Sequence, residues 1–185
     1  MIAPVPSGSA LSRTDVLPLE VVAVEASSGE DLLRLNTENL ELLHAVAAFD
    51  DLSKEARDDH GPLAQELARL DAKLRLILRL LGRQSAARLP AARAVRLGSE
   101  RIEWQGPAPG PVGTAAVALL YLAPSIHEPL QLPGQLAEPT QDESGRTWSR
   151  LRYEGLSGLV VTALEKHVFM HHRRAVAHAR QAPRA

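Results

Sequence analysis

The sequence predicts an α+β fold, with helices in the first half of the chain and short strands closed by a further helix in the second. Three observations lead there. Leucines at heptad spacing run from Leu63 to Leu81. Beyond them the apolar period changes from helical to strand-like. The later apolar segments are short and divided by glycine- and proline-bearing turns, as in a small barrel or sandwich.

The opening stretch, MIAPVPSGSALSRTD, is rich in Pro, Ser and Gly and reads as a tail. It has no basic start followed by an apolar core, so it does not read as a secretory signal. Leu17–Val24 (LPLEVVAV) reads as a short strand, to be placed either in the barrel or with the helices. Asn36–Leu52 reads as a helix capped by Asn36 or Thr37, whose short polar side chains can accept from first-turn amides. Leu40, Leu43 and Ala47 form one apolar row on it, and Leu42, Val46 and Phe49 form the next. Asp50 and Asp51 oppose the helix dipole at its far end and suggest a stop there. Proline at the first helical position then fits a new helix from Pro62, with a helix kinked through Gly61-Pro62 as the alternative.

Leu63, Leu67, Leu70, Leu74, Ile77 and Leu81 follow at alternating steps of four and three, before Gly82. This is a heptad seam with Leu at every a position, and it lacks the β-branched a residues that favour two strands. Leu76, Leu78 and Leu80 widen the stripe near its end. Each buried Leu or Ile contributes roughly 1.5–3 kcal/mol, so such a stripe needs a partner. The partner is the first helix of the same chain, the barrel, or copies of the seam itself, and a tetramer is the preferred count. The seam residues are thus the expected oligomerisation site.

Residues 83–93 read as a linker. Candidate strands are Ala94–Leu97, Arg101–Gln105, Thr114–Leu122, Leu130–Ala137 and Arg146–Tyr153. Ser157 caps a last helix with Leu159, Val160, Ala163, Leu164, His167 and Val168 on one face. The expected organisation is a tail with a possible strand (1–35), a two-helix heptad region (36–82), the linker, a barrel with its helix (94–178) and a disordered tail (179–185).

Composition excludes several functions. There is no cysteine, hence no disulfide, thiolate metal site or cysteine nucleophile, and the chain suits a reducing cytoplasm. The net charge of −1 argues against a surface devoted to nucleic acid. No apolar run approaches the roughly 18 residues that span a bilayer. Charge is uneven all the same: Glu25–Asp59 holds ten acids and three bases, while Arg69–Arg101 holds nine bases and two acids. The two stretches are either solvated faces or surfaces that dock on each other.

No catalytic or metal-binding set stands out, and no cofactor is expected. His167 and His171 have i,i+4 spacing, but HVFMH lacks the glutamate of a zinc-protease helix, so these histidines and His172 read as solvated. GLSGL misses the G-x-S-x-G elbow, because Leu159 stands where its second glycine belongs. The prolines of GPAPGPVG remove amides that a phosphate cradle needs.

From VRLGSERIEW through VGTAAVALLYL, LPGQLAE and RLRYEGLS to VFMHHRR, the second half resembles a PilZ domain, a small β-barrel known chiefly as a cyclic di-GMP receptor. With RLNTENLELLHAV and the heptad helix, the whole chain resembles an atypical, helix-extended and tetrameric PilZ subfamily of xanthomonads. That resemblance implies a PilZ-like antiparallel β-barrel with a C-terminal helix. It also implies a non-enzymatic role through protein partners in bacterial motility, attachment or virulence regulation. Motif-bearing PilZ domains carry RxxxR and [D/N]xSxxG. Here Arg83, Arg88, Arg93 and Arg96 stand five, five and three apart. Arg96, Gly98 and Arg101 fall at the Asp, Ser and Gly of the second motif, and a shifted frame that uses Ser99 fails at Leu97 and Ile102. Cyclic di-GMP binding by the usual route is therefore not expected. The alternative is a cyclic dinucleotide receptor that uses Arg93, Arg96 and Arg101 in a new geometry.

Overall fold

A computed structural model describes residues 13–25, 28–58, 89–122 and 128–181, with residue 126 and scattered positions between 66 and 77. The element order is β1 (Arg13–Ala23), α1 (Gly29–Asp58), β2 (Ala92–Leu97), β3 (Arg101–Trp104), β4 (Ala115–Leu120), β5 (Leu130–Gln141), β6 (Thr147–Tyr153) and α2 (Gly158–Gln181). The strands close into an antiparallel barrel in the order β1-β2-β3-β6-β5-β4. Closure removes the unpaired edges that an open sheet would present. The strand expected at Leu17–Val24 is a barrel strand, and it begins earlier. Arg13–Pro18 pair with β2, whereas Leu19–Ala23 pair with β4. This single strand therefore completes the ring.

Alternation explains the interior. In β4, Ala116, Ala118 and Leu120 are buried and the residues between them are not. Ile102 and Trp104 of β3, Val95 and Leu97 of β2 and Leu151 of β6 fill the same core. The two helices cover one end of it, with Leu42, Leu43 and Val46 of α1 and Val160, Leu164 and Val168 of α2 joining the cluster. Leu159 does not join the packed face expected for it. It is 69% exposed, because α2 turns its Val160–Leu164–Val168 row inward.

Helix α1 departs from expectation at both ends. Asn36 and Thr37 are interior residues, not caps. The cap is Ser28, whose Oγ accepts from the Asp31 amide at 3.2 Å while its own amide donates to Asp31 Oδ2 at 3.4 Å. This reciprocal pair satisfies two otherwise orphaned donors. At the other end the helix passes Asp50 and Asp51 and runs to Asp58. An unfavourable dipole contact costs only about 0.3–1 kcal/mol, and Lys54 stands one helical turn beyond both acids in the sequence.

The asparagines instead tie α1 to the barrel. Asn36 Nδ2 donates to the Gly155 carbonyl at 2.8 Å, and its Oδ1 accepts from the Ser157 amide at 2.7 Å. Asn39 is 1% exposed. Its Nδ2 donates to the Gln131 carbonyl at 2.6 Å and its Oδ1 accepts from the Gln131 amide at 2.8 Å. Asn39→Leu would strand both backbone groups of Gln131, at about 1–3 kcal/mol each if water stays out. A urea midpoint lowered at unchanged slope is the expected result, and a midpoint equal to the wild type would show that the clamp carries no stability.

Ser157 caps α2 as expected, its Oγ accepting from the Val160 amide at 3.3 Å. The helix continues to Gln181, into the 179–185 stretch expected to be disordered, and β2 begins at Ala92, within the expected linker. Leu70, Leu74 and Ile77 lie in helix, with 46–54% of each residue exposed. Leu63, Leu67, Leu81 and the Gly61-Pro62 junction lie outside the described residues, as do Arg83 and Arg88. Among the described residues, no helix is long and apolar enough to cross a membrane.

Candidate functional site

The polar residues of β2, β3 and β6 gather on the outside of the barrel. Because Ile102, Trp104 and Leu151 point inward, Arg101, Glu103, Arg150 and Arg152 point outward. Register then aligns them across strands. Arg96 pairs with Glu103, Glu103 with Arg150, and Arg101 with Arg152.

Glu103 is 7% exposed, and it sits at the centre of the group. Arg150 brings Nε to 2.9 Å and Nη2 to 2.8 Å from Glu103 Oε1. Arg101 Nε reaches the same oxygen at 3.3 Å. Arg96 Nη1 stands 3.8 Å from Oε2. A carboxylate removed from water in this way needs charged donors around it, and here three guanidinium groups supply them.

The cluster extends to the turn between β5 and β6. Arg96 Nη2 is 3.7 Å from Asp142 Oδ2, and its guanidinium lies 3.8 Å from the centre of the Trp148 ring. The Trp148 indole donates to Asp142 Oδ2 at 3.0 Å. Oδ1 of Asp142 accepts from the Ser144 hydroxyl at 2.6 Å and from the Ser144 and Arg146 amides at 2.9 and 3.0 Å. The Ser144 hydroxyl, then the Trp148 indole, hold the Asp142 carboxyl far below the usual carboxylate range. A carboxyl lowered in the folded state stabilises the fold above its ordinary value near 4, and that contribution disappears as pH falls toward the folded value. The urea-midpoint gap between wild type and Asp142→Asn should therefore hold steady from neutral pH to about 5 and narrow below about 4. A gap that instead widened in acid would contradict this assignment.

The three expected ligand arginines separate into two groups. Arg96 and Arg101 meet at Glu103. Arg93 shares its strand face with buried Val95 and Leu97, and its guanidinium lies against Gly106 instead. Residues an odd number apart on a strand face opposite ways, so Arg93 and Arg96 cannot grip one ligand side by side. Sequence reasoning missed Glu103, Arg150 and Asp142. The Arg-Ile-Glu-Trp alternation signalled an outward Glu103, but no sequence pattern gave its register with Arg150.

Of the histidines expected to be solvated, His172 is exposed but His167 is not. His167 is buried and its ring centre lies 4.3 Å from that of His171, since His167 continues the packed face of α2. No group of three or more potential metal ligands occurs among the described residues.

Comparison with known proteins identifies both a family and a structural neighbour. A family model described as "Atypical PilZ domain, cyclic di-GMP receptor" matches residues 43–181. Among solved structures, a pathogenic protein from Xanthomonas campestris is similar over 92% of this chain and 93% of its own, at 29% identity and a TM-score of 0.67. It is described as a new tetrameric PilZ domain self-assembled via an unusual helical bundle. No curated protein matches the chain.

Proposed function

Given that the chain belongs to the atypical PilZ domain family, we infer that it is a non-enzymatic signalling adaptor. It self-assembles through its heptad helix and presents its barrels to protein partners, without the usual cyclic di-GMP site. The observation that carries this reading is the exposed apolar row of the heptad segment. Leu70, Leu74, Leu76 and Ile77 are helical and 46–54% exposed, so the described fold leaves about half of each in water. Covering the exposed halves of these four would contribute about 3–6 kcal/mol per chain, gross of association costs. The Xanthomonas campestris neighbour, tetrameric through a helical bundle, supports the same arrangement here. Partners in motility, attachment or virulence regulation and a cytoplasmic location belong to this reading.

A second reading, cyclic di-GMP receptor in a non-standard geometry, draws support from the description of the matching family model. Arg96 and Arg101 already bind Glu103 and Arg93 lies apart from them, which weighs against it.

Light scattering and calorimetric titration of the full chain test both. The expected results are the mass of a tetramer of 20.0 kDa chains and no heat with micromolar cyclic di-GMP. A single-chain mass would sink the assembly, and tight binding would favour the receptor.

A further inference from the structure

Three guanidinium groups around one carboxylate are more cation than Glu103 needs, and their geometry is uneven. Only Arg150 approaches within the 2.7–2.9 Å typical of strong charge-assisted bonds. Arg101 stands at 3.3 Å and Arg96 at 3.8 Å, the latter holding the Asp142 carboxylate no closer than 3.7 Å. Two of the three forks are therefore underused. Their side chains remain 26–41% exposed, so the cluster is open to solvent.

A further donor, on Gln105, lies just past the end of β3. Its Nε2 is buried and has no hydrogen-bond partner. Within the cluster the Arg96 guanidinium lies over the Trp148 ring, which is 3% exposed. Arginine forks fit carboxylate and phosphate alike, but a phosphate group offers more oxygens and more charge than one carboxylate.

We propose that Glu103 is a built-in anion that occupies, and keeps shut, a phosphate cradle formed by Arg96, Arg101 and Arg150. With its charge removed, the outer face of β2, β3 and β6 becomes a binding site for phosphate and phosphodiester groups. Glu103 is thus a specificity-determining residue, which excludes phosphate ligands from this face. The proposal rests on the reading that the wild type lacks the usual cyclic di-GMP site, and the two can fail separately.

The test is calorimetric titration of the full-length wild type, Glu103→Gln and Glu103→Gln/Arg150→Gln with inorganic pyrophosphate and, separately, with cyclic di-GMP. Glutamine keeps the shape of the side chain and removes its charge. One competing charge-assisted contact is worth about 1.5–3 kcal/mol, so Glu103→Gln should bind pyrophosphate about tenfold or more tighter than wild type. The double variant should lose that gain. A gain with pyrophosphate alone assigns the cradle to free phosphate anions, and a gain with cyclic di-GMP as well extends it to phosphodiesters. A folded Glu103→Gln that binds neither ligand better than wild type overturns the proposal. So does a gain that survives loss of Arg150. If Glu103→Gln does not fold, Glu103→Ala replaces it. Failure of both to fold overturns the proposal as well, since the carboxylate would then be a structural centre and not a gate. Tight wild-type binding of cyclic di-GMP would instead sink the adaptor reading.

Discussion

Leu70→Asp is expected to return the mass of a single 20.0 kDa chain in light scattering, in place of the tetramer mass. Leu70 is 54% exposed in the single chain, so an aspartate there costs the isolated molecule little. In a helical bundle the same position is a d site of the seam and faces its copies. Each carboxylate would then be taken from water with no cation to meet it, at several kcal/mol per group. The apolar row would contribute about 3–6 kcal/mol per chain to such a bundle, so one such charge is enough to reverse the balance. The barrel core, built from residues such as Val95, Ile102 and Leu151, is untouched, and the strand signal in circular dichroism should persist. Ala72 is the internal control. It is helical and exposed, and it stands at an f position, on the far side of the seam. Ala72→Asp should leave the mass unchanged. Two aspartates with equal effects would point to helix destabilisation, not to a packed seam.

The proposed seam is read from leucine spacing, a local property, and much of the barrel was legible from local pattern too. The strand expected at Thr114–Leu122 contains β4, although its apolar run AAVALL does not by itself say which face turns inward. Long-range choices were not legible. Asn36 has the side chain of a helix cap, and only the fold reveals that Gly155 and Ser157 receive it instead. Leu159 has the right spacing for the packed face of α2, yet the direction of that face is set by what α1 offers. The arginines show the same limit. Arg93, Arg96 and Arg101 are near in sequence and equally charged, but strand alternation separates Arg93 from Arg96. Glu103 gathers Arg96, Arg101 and Arg150 because three strands happen to bring them into register. Register couples residues some 50 positions apart, and a single sequence carries no local trace of it.

Gly134→Ala should be the most damaging single-methyl change in the barrel. Gly134 lies in β5 between two partners, opposite Ala116 of β4 and Tyr153 of β6. A Cβ atom there would collide with the carbonyl oxygen of Arg152 and stand 2.9 Å from Leu151 Cδ2. The leucine can rotate away, but the carbonyl belongs to the β6 backbone and can retreat only if the two strands part. That movement would strain the β5–β6 ladder beside a buried core residue, in a closed barrel with no free edge to absorb it. Overpacking of this kind typically costs about 1–3 kcal/mol, and a backbone neighbour places this case at about 3 kcal/mol or above. For a chain of this size that is a fall in Tm of about 6–12 °C. Gly158→Ala supplies the contrast. Gly158 opens α2, has no positive φ, and leaves at least 4 Å of open space around the point where a methyl would be added. Alanine favours the helix over glycine by up to about 1 kcal/mol, so this variant should melt at or slightly above the wild type. The same added methyl thus acts with opposite signs at two glycines, and calorimetric melting of the two variants side by side measures the difference. Melting of Gly134→Ala within a degree or two of wild type would mean that β5 and β6 do not approach each other as closely as this barrel requires.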